Sequence, residues 1–200
     1  MPVIVLICGL MQSGKTTVMA ALARALVNER GLRVSVLVSG EIESGCDVAL
    51  SPGVQPHALN GSCVSCQLGE VLAETVQRIR ERDLPDILLV ELSPTTEIDV
   101  ARAALRNACG ARDETVRAVV VVDVCAPQRL HQALDHLFGA MVLASDALVL
   151  NRAGRCSSES IRSVLEQVRR LNSAIMTVPL ASADDVGAAD VSALIDILSL

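Results

Sequence analysis

Short, continuous apolar runs alternate with longer amphipathic stretches along the whole chain. Six runs read as strands: Val3–Cys8, Arg33–Val38, Asp86–Glu91, Val116–Asp123, Ala147–Leu150 and Ala174–Val178. Most are unbroken apolar blocks, the pattern of parallel strands covered on both faces. The stretches Lys15–Arg30, Cys66–Arg82, Glu97–Ala108, Pro127–Phe138 and Ser158–Leu171 read as helices, and Val191–Leu200 closes the chain as another. Gly31 is a normal helix-ending glycine, and Thr95 and Thr96 are capping candidates ahead of the third helix. This alternation predicts an α/β fold, a three-layer sandwich with a mostly parallel central sheet and right-handed crossovers. No repeat, low-complexity tract or linker interrupts it, so residues 1–200 read as a single domain. Ligands of such sheets bind beyond the carboxyl ends of the strands. The informative loops are therefore those after Cys8, Val38, Glu91, Asp123 and Leu150.

The first of these loops reads Gly9-Leu10-Met11-Gln12-Ser13-Gly14-Lys15-Thr16, a G-x-x-x-x-G-K-T pattern between an apolar strand and an amphipathic helix. Glycines let the backbone fold into a nest of N–H donors, and the helix N-terminus adds partial positive charge. The pattern predicts a P-loop NTPase in which Gly9, Gln12, Ser13 and Gly14 cradle phosphates. Lys15 reaches the β- and γ-phosphates, Thr16 places its hydroxyl on Mg²⁺, and Thr17 is a candidate for the α-phosphate. An extra lysine after the first glycine would mark the ParA/MinD-type ATPases; Leu10 stands there instead.

Acidic residues at the loop ends are candidates for Mg²⁺ binding or for orienting an attacking water: Glu43 and Asp47 after the second strand, and Glu91 at the end of the third. Glu91 is the strongest, because it follows the buried run Ile87-Leu88-Leu89-Val90 as a Walker B acid does. Against each stands the plainer reading of a solvated loop charge. Cys63-Val64-Ser65-Cys66 has C-x-x-C spacing before a helix, which suits a soft or borderline metal, redox chemistry, or two ordinary thiols. Two thiolates are only half of a tetrahedral site; Cys46, His57, a second protomer or a client protein are the remaining sources. Cys8, Cys109, Cys125 and Cys156 lie in or beside apolar segments and read as small core residues, and His131 and His136 as surface or packing residues.

Composition narrows the classes. The chain has no Trp, no Tyr and a single Phe, and a formal net charge of -6. Both count against nucleic-acid binding, which uses stacking platforms and basic surfaces. No apolar run approaches the ~20 residues of a spanning helix, and the N-terminal run lacks the features of a signal peptide. The expectation is a cytoplasmic protein whose seven cysteines are thiols or ligands rather than disulfides.

Taken together, these motifs resemble the CobW/HypB/UreG family of SIMIBI-class P-loop GTPases, closest to the CobW branch. Gly9 to Thr17 matches that branch's G-x-x-x-S/A-G-K-T-T loop. Ser39-Gly40-Glu41-Ile42-Glu43-Ser44-Gly45-Cys46-Asp47 keeps Glu43, Gly45 and Asp47 of the family's N-E-x-G-E-x-G-x-D. Asn60-Gly61-Ser62-Cys63-Val64-Ser65-Cys66 is similar to N-G-C-x-C-C, with Ser65 at the middle cysteine and Ser62 inserted. Leu148-Val149-Leu150-Asn151-Arg152 resembles the base-recognition strand and its N-K-x-D motif, which implies that Asn151 binds the nucleotide. The resemblance implies GTP (with ATP as the alternative), Mg²⁺, slow hydrolysis, and Zn²⁺, Ni²⁺ or Co²⁺ as cargo held by Cys63 and Cys66. It also implies a client metalloprotein and a nucleotide-dependent homodimer.

Two positions depart from the family. Its Glu-x-x-Gly appears as Glu91-Leu92-Ser93-Pro94, and Pro94 has no N–H to offer a γ-phosphate. The final Asp of N-K-x-D, which reads the guanine N1 and N2 groups, is Gly154. With the sequence ending near Leu200, the C-terminal domain of CobW proteins is expected to be missing. The expected function is an Mg²⁺-dependent NTPase serving as a metallochaperone or metal-insertion accessory, with Lys15, Asp47 and Glu91 as the catalytic group. The rivals are a nucleotide-binding regulatory or assembly module with little or no hydrolysis and, ranked lowest, a small-molecule kinase.

Overall fold

The computed structural model describes residues 2–39, 52–59, 68–110, 115–126, 135–181 and 188–199. Seven strands form one sheet: β1 (Val3–Cys8), β2 (Val34–Ser39), β3 (Val54–Leu59), β4 (Ile87–Glu91), β5 (Val116–Asp123), β6 (Ala147–Asn151) and β7 (Met176–Pro179). The spatial order is β3-β2-β4-β1-β5-β6-β7, and every neighbouring pair is parallel. Among the described residues, five helices lie between strands, α1 (Lys15–Arg30), α2 (Leu68–Asp83), α3 (Ile98–Cys109), α4 (Asp135–Ala144) and α5 (Ser158–Leu171), and α6 (Ala188–Leu198) follows β7.

The period-two geometry of β1 divides the core. Ile4, Leu6 and Cys8 face one layer with α2, α3, α4 and α5, whereas Val5 and Ile7 face the other with α1 and α6. Burial on both sides explains why the central strands are apolar throughout. Phe138, the one aromatic residue, is 1% exposed in the first layer.

The sheet contains the six strands the apolar runs predict and a seventh, β3, that they do not. Val54-Gln55-Pro56-His57-Ala58-Leu59 is an edge strand bonded only to β2 among the described residues. An edge needs less apolar surface and tolerates Pro56, so the run carries no strong strand signal. Of the helix expected over Pro127–Phe138, residues 127–134 lie outside the described residues, and a helix runs over Asp135–Ala144. Gly31 does end α1, with φ 64° and its N–H on the Val27 carbonyl. Thr95 and Thr96 do not cap α3: the cap is Glu97, without a side-chain bond, and the Thr96 hydroxyl is buried and unpaired. A turn closed by the Thr96 N–H on the Ser93 carbonyl starts the helix later than the threonines suggest.

Candidate nucleotide-binding site

The loop after β1 has the backbone that its glycines permit. Gly9 has φ 149°, Gln12 60° and Gly14 91°. A Cβ on Gly9 would stand 2.4 Å from the Val121 carbonyl oxygen, and one on Gly14 would stand 2.2 Å from Asn151 Nδ2. Both glycines therefore serve close approach as well as left-handed backbone. Gly14 is the N-cap of α1 and supplies no side-chain acceptor, and no acidic residue stands in the first turn. The first-turn N–H groups of α1 are left for an anion. Ser13 is buried and its hydroxyl has no partner.

Lys15 folds back over this loop, its ammonium donating to the carbonyls of Gly9 at 3.2 Å and Leu10 at 3.1 Å. It is 7% exposed. Burial lowers its pKa, opposed by the negative charge of Glu91. Glu91 ends β4 directly abreast of Ile7 in β1, so the sheet register delivers its carboxylate beside the loop. There the Thr16 hydroxyl donates to Glu91 Oε2 at 2.8 Å. Burial raises the Glu91 pKa, offset by the Thr16 hydrogen bond and the charge of Lys15. Ser39, which stands where the resembled family has Asn, donates to the Glu91 carbonyl at 3.0 Å. A hydroxyl and a carboxylate oxygen at this separation, close to a lysine, match the hard oxygen donors that Mg²⁺ prefers and the phosphates it accompanies.

The other flank is built by β5 and β6, whose last residues Asp123 and Asn151 are register partners. Asn151 is 1% exposed. Its amide donates to the Ser13 carbonyl at 2.8 Å and its Oδ1 accepts from the Arg152 N–H at 2.9 Å. Arg152 adopts φ 63°, pairs with the Asp123 carboxylate, and sets the same guanidinium nitrogen 3.5 Å from the Gln12 carbonyl. Neither Asp123 nor Arg152 was singled out from sequence. Asp123 has the signal that marked Glu91, an acid closing an apolar strand.

At Gly154 the N–H donates to the Ala181 carbonyl at 3.0 Å, and a Cβ would stand 3.1 Å from that oxygen and 3.2 Å from Ala181 Cβ. The position of the family's guanine-reading Asp is thus packed against the turn after β7.

Glu43, Asp47, Cys46, Cys63 and Cys66 lie outside the described residues. His57 is turned to Asp83, 2.5 Å away, and the same carboxylate oxygen lies 3.5 Å from the Ser35 hydroxyl at the start of β2. That contact engages Nε2 alone of the two ring nitrogens. Among the described residues, no group of three or more His, Cys, Asp or Glu is placed to hold a metal ion. His136 is exposed, as expected, and His131 lies outside the described residues. Cys8 is buried, its thiol donating to the Val119 carbonyl and pushed up to about 12 by burial. The core expectation fails for Cys125, which is exposed, and holds in part for Cys156, which is half-buried and packs against the first core layer. The expectation of free thiols fails for both, which are joined as a disulfide with Cα atoms 5.7 Å apart. Adjacent parallel strands end side by side, so the loops leaving β5 and β6 bring residues two and five positions on into contact.

The family model described as CobW/HypB/UreG, nucleotide-binding domain, matches residues 3–179. The hydrogenase maturation factor HypB from Archaeoglobus fulgidus superposes with a TM-score of 0.67 at 17% identity, covering 98% of this chain and 90% of that one. HypB from Helicobacter pylori, in complex with nickel, gives a TM-score of 0.63 at 13% identity, with 99% and 86% covered. FtsY from Thermotoga maritima gives 0.64 at 16%, with 99% and 68% covered. No curated protein matches the chain in sequence. No helix among the described residues is long and apolar enough to cross a membrane.

Proposed function

The chain belongs to the CobW/HypB/UreG family of nucleotide-binding domains, and from that premise we propose that it is an Mg²⁺-dependent GTPase serving as a metallochaperone or metal-insertion accessory protein. The observation that carries the nucleotide half is the 2.8 Å bond between the Thr16 hydroxyl and the Glu91 carboxylate beside the folded-back Lys15. These groups sit together only because β1 and β4 are neighbours, and they have the chemistry of a phosphate–Mg²⁺ site.

Gly9 through Thr17 wrap the phosphates with backbone N–H groups, and Lys15 leaves the Gly9 and Leu10 carbonyls for the β- and γ-oxygens. Thr16 and Glu91, with Asp47 and Glu43 from the segment after β2, would hold Mg²⁺. The ion, when bound, neutralises charge developing on the phosphate oxygens. Glu91 and Asp47 orient the attacking water. Asn151 fixes the loop by holding the Ser13 carbonyl and stands at the base end. Cys63 and Cys66 carry Zn²⁺, Ni²⁺ or Co²⁺ for a client metalloprotein in the cytoplasm, within one domain and in a nucleotide-dependent homodimer. The nickel complex of H. pylori HypB supports this direction.

Release of phosphate from GTP with Mg²⁺, measured against Lys15→Ala, tests the first half. Metal titration of Cys63→Ser with Cys66→Ser tests the second. Unchanged zinc, nickel and cobalt binding in that variant removes the cysteine site from the proposal.

One observation favours a second reading, a regulatory or assembly module that binds nucleotide with little turnover. Pro94 offers no N–H to a γ-phosphate, and the side chains beside it engage each other, with Ser93 Oγ 3.2 Å from Thr95 Oγ1. Turnover above the Lys15→Ala background would eliminate this reading.

A further inference from the structure

The Cys125–Cys156 pair is outside every motif considered above, yet it is wired to the nucleotide site. Cys125 follows β5 and Cys156 follows the 3-10 turn Ala153–Arg155 after β6, and together they strap the two loops at the base end. The Cys125 N–H donates to Asp123 Oδ1 at 2.9 Å. The other Asp123 oxygen holds Arg152, whose guanidinium lies against the Gln12 carbonyl in the phosphate loop. Arg152 is in the left-handed region, an arrangement an L residue keeps only when its surroundings impose it. Cys125 Sγ also lies 3.5 Å from the Arg152 carbonyl oxygen, a thiol hydrogen bond that only the reduced form can make. The two redox states thus hold the same arginine differently.

We propose that Cys125 and Cys156 are a thiol–disulfide couple that sets the grip of the base end on the nucleotide, with small-molecule disulfides as the oxidant class. This rests on the nucleotide-binding reading above. The Cα separation of 5.7 Å lies in the range a disulfide spans. The exposed Cys125 meets the oxidant first. Its thiolate forms a bond to one sulfur of the small disulfide, whose S–S bond breaks and releases one thiol. The Cys156 thiolate then attacks Cys125 Sγ, forming the protein disulfide and releasing the second small thiol. Two protein thiols are oxidised, one small disulfide is reduced, and the two protons end on the released thiols. The oxidised form holds Asp123, Arg152 and Asn151 in the arrangement seen here; the reduced form pays more ordering entropy on binding. Immobilising one or two such side chains corresponds to about three- to tenfold in affinity.

The test uses the full chain equilibrated across ratios of oxidised to reduced glutathione. Peptide mapping by mass spectrometry reads the Cys125–Cys156 link, and a fluorescent GTP analogue with Mg²⁺ reads affinity and dissociation. The expected result is a linked peptide under oxidising ratios and about three- to tenfold tighter, slower-releasing nucleotide, with both differences abolished in Cys125→Ser and in Cys156→Ser. A linked peptide with unchanged nucleotide affinity overturns the control of binding. Absence of the linked peptide at every ratio overturns the couple. Formation of the link with no nucleotide binding in either state, or in the serine variants, overturns the nucleotide reading itself and the control with it.

Discussion

The contact between Gly14 and Asn151 can be tested as a pair. Asn151→Ala removes the bonds to the Ser13 carbonyl and the Arg152 N–H, leaving buried backbone groups unpaired at about 1–3 kcal/mol. Gly14→Ala acts differently. It forces φ 91° on an L residue, at about 1–2 kcal/mol. It also drives a methyl group to where Asn151 Nδ2 stands, 2.2 Å from the new carbon. Asn151 must then withdraw and release the Ser13 carbonyl, for a further cost of about 1–3 kcal/mol. With Asn151 already trimmed, the methyl meets open space and only the backbone cost remains. The double variant should therefore be more stable than the sum of the single effects by about 1–3 kcal/mol. Urea unfolding of the four proteins measures this. It must be followed by circular dichroism, since the chain has no Trp or Tyr. Additivity within about 0.5 kcal/mol would show that the two residues do not share this contact.

Three further outcomes follow from the geometry. The Glu91 carboxyl has its folded pKa raised above the ordinary 4.5 by burial, so the folded state keeps a proton that the unfolded chain has lost, and stability falls as pH rises through that window. Glu91→Gln should raise the neutral-pH urea midpoint of the nucleotide-free protein while abolishing Mg²⁺-dependent turnover, the gain fading as pH drops to the ordinary carboxylate range; a gain that grows on acidification contradicts the burial account. Gly154→Asp presses on Ala181 and restores a carboxylate at the family's base-reading position, so GTP should be favoured over ATP by a further ~1–3 kcal/mol, read as the ratio of competition constants; an unchanged ratio removes position 154 from base reading. Reducing the Cys125–Cys156 bond, which closes a separation of 31 residues, should cost about 3–4 kcal/mol if the unfolded chain is otherwise unconstrained, and equal midpoints with and without reductant would count against that estimate.

Most of the sheet and half of the site were legible in the amino-acid order. β1, β4, β5 and β6 announce themselves because a strand buried on both faces must be apolar at successive positions. Lys15, Thr16 and Glu91 were legible because a phosphate loop has fixed spacing and because an acid closing a buried strand is rare without a purpose. β3 was not, since an edge strand with Gln55, Pro56 and His57 has one neighbour and pays little for polarity. The contacts Asn151–Ser13, Arg152–Asp123 and Cys125–Cys156 depend on β5 lying between β1 and β6. No local pattern encodes that order; it becomes visible only when the strands are laid side by side.

The two outer strands have a consequence for how copies of this chain can meet. An open parallel sheet exposes a ladder of hydrogen-bonding groups at each rim, an invitation to lateral stacking. β3 carries Pro56 and β7 ends on Pro179, and neither proline has an amide hydrogen to offer an incoming strand. Lateral extension of the described sheet is therefore disfavoured at both of its rims.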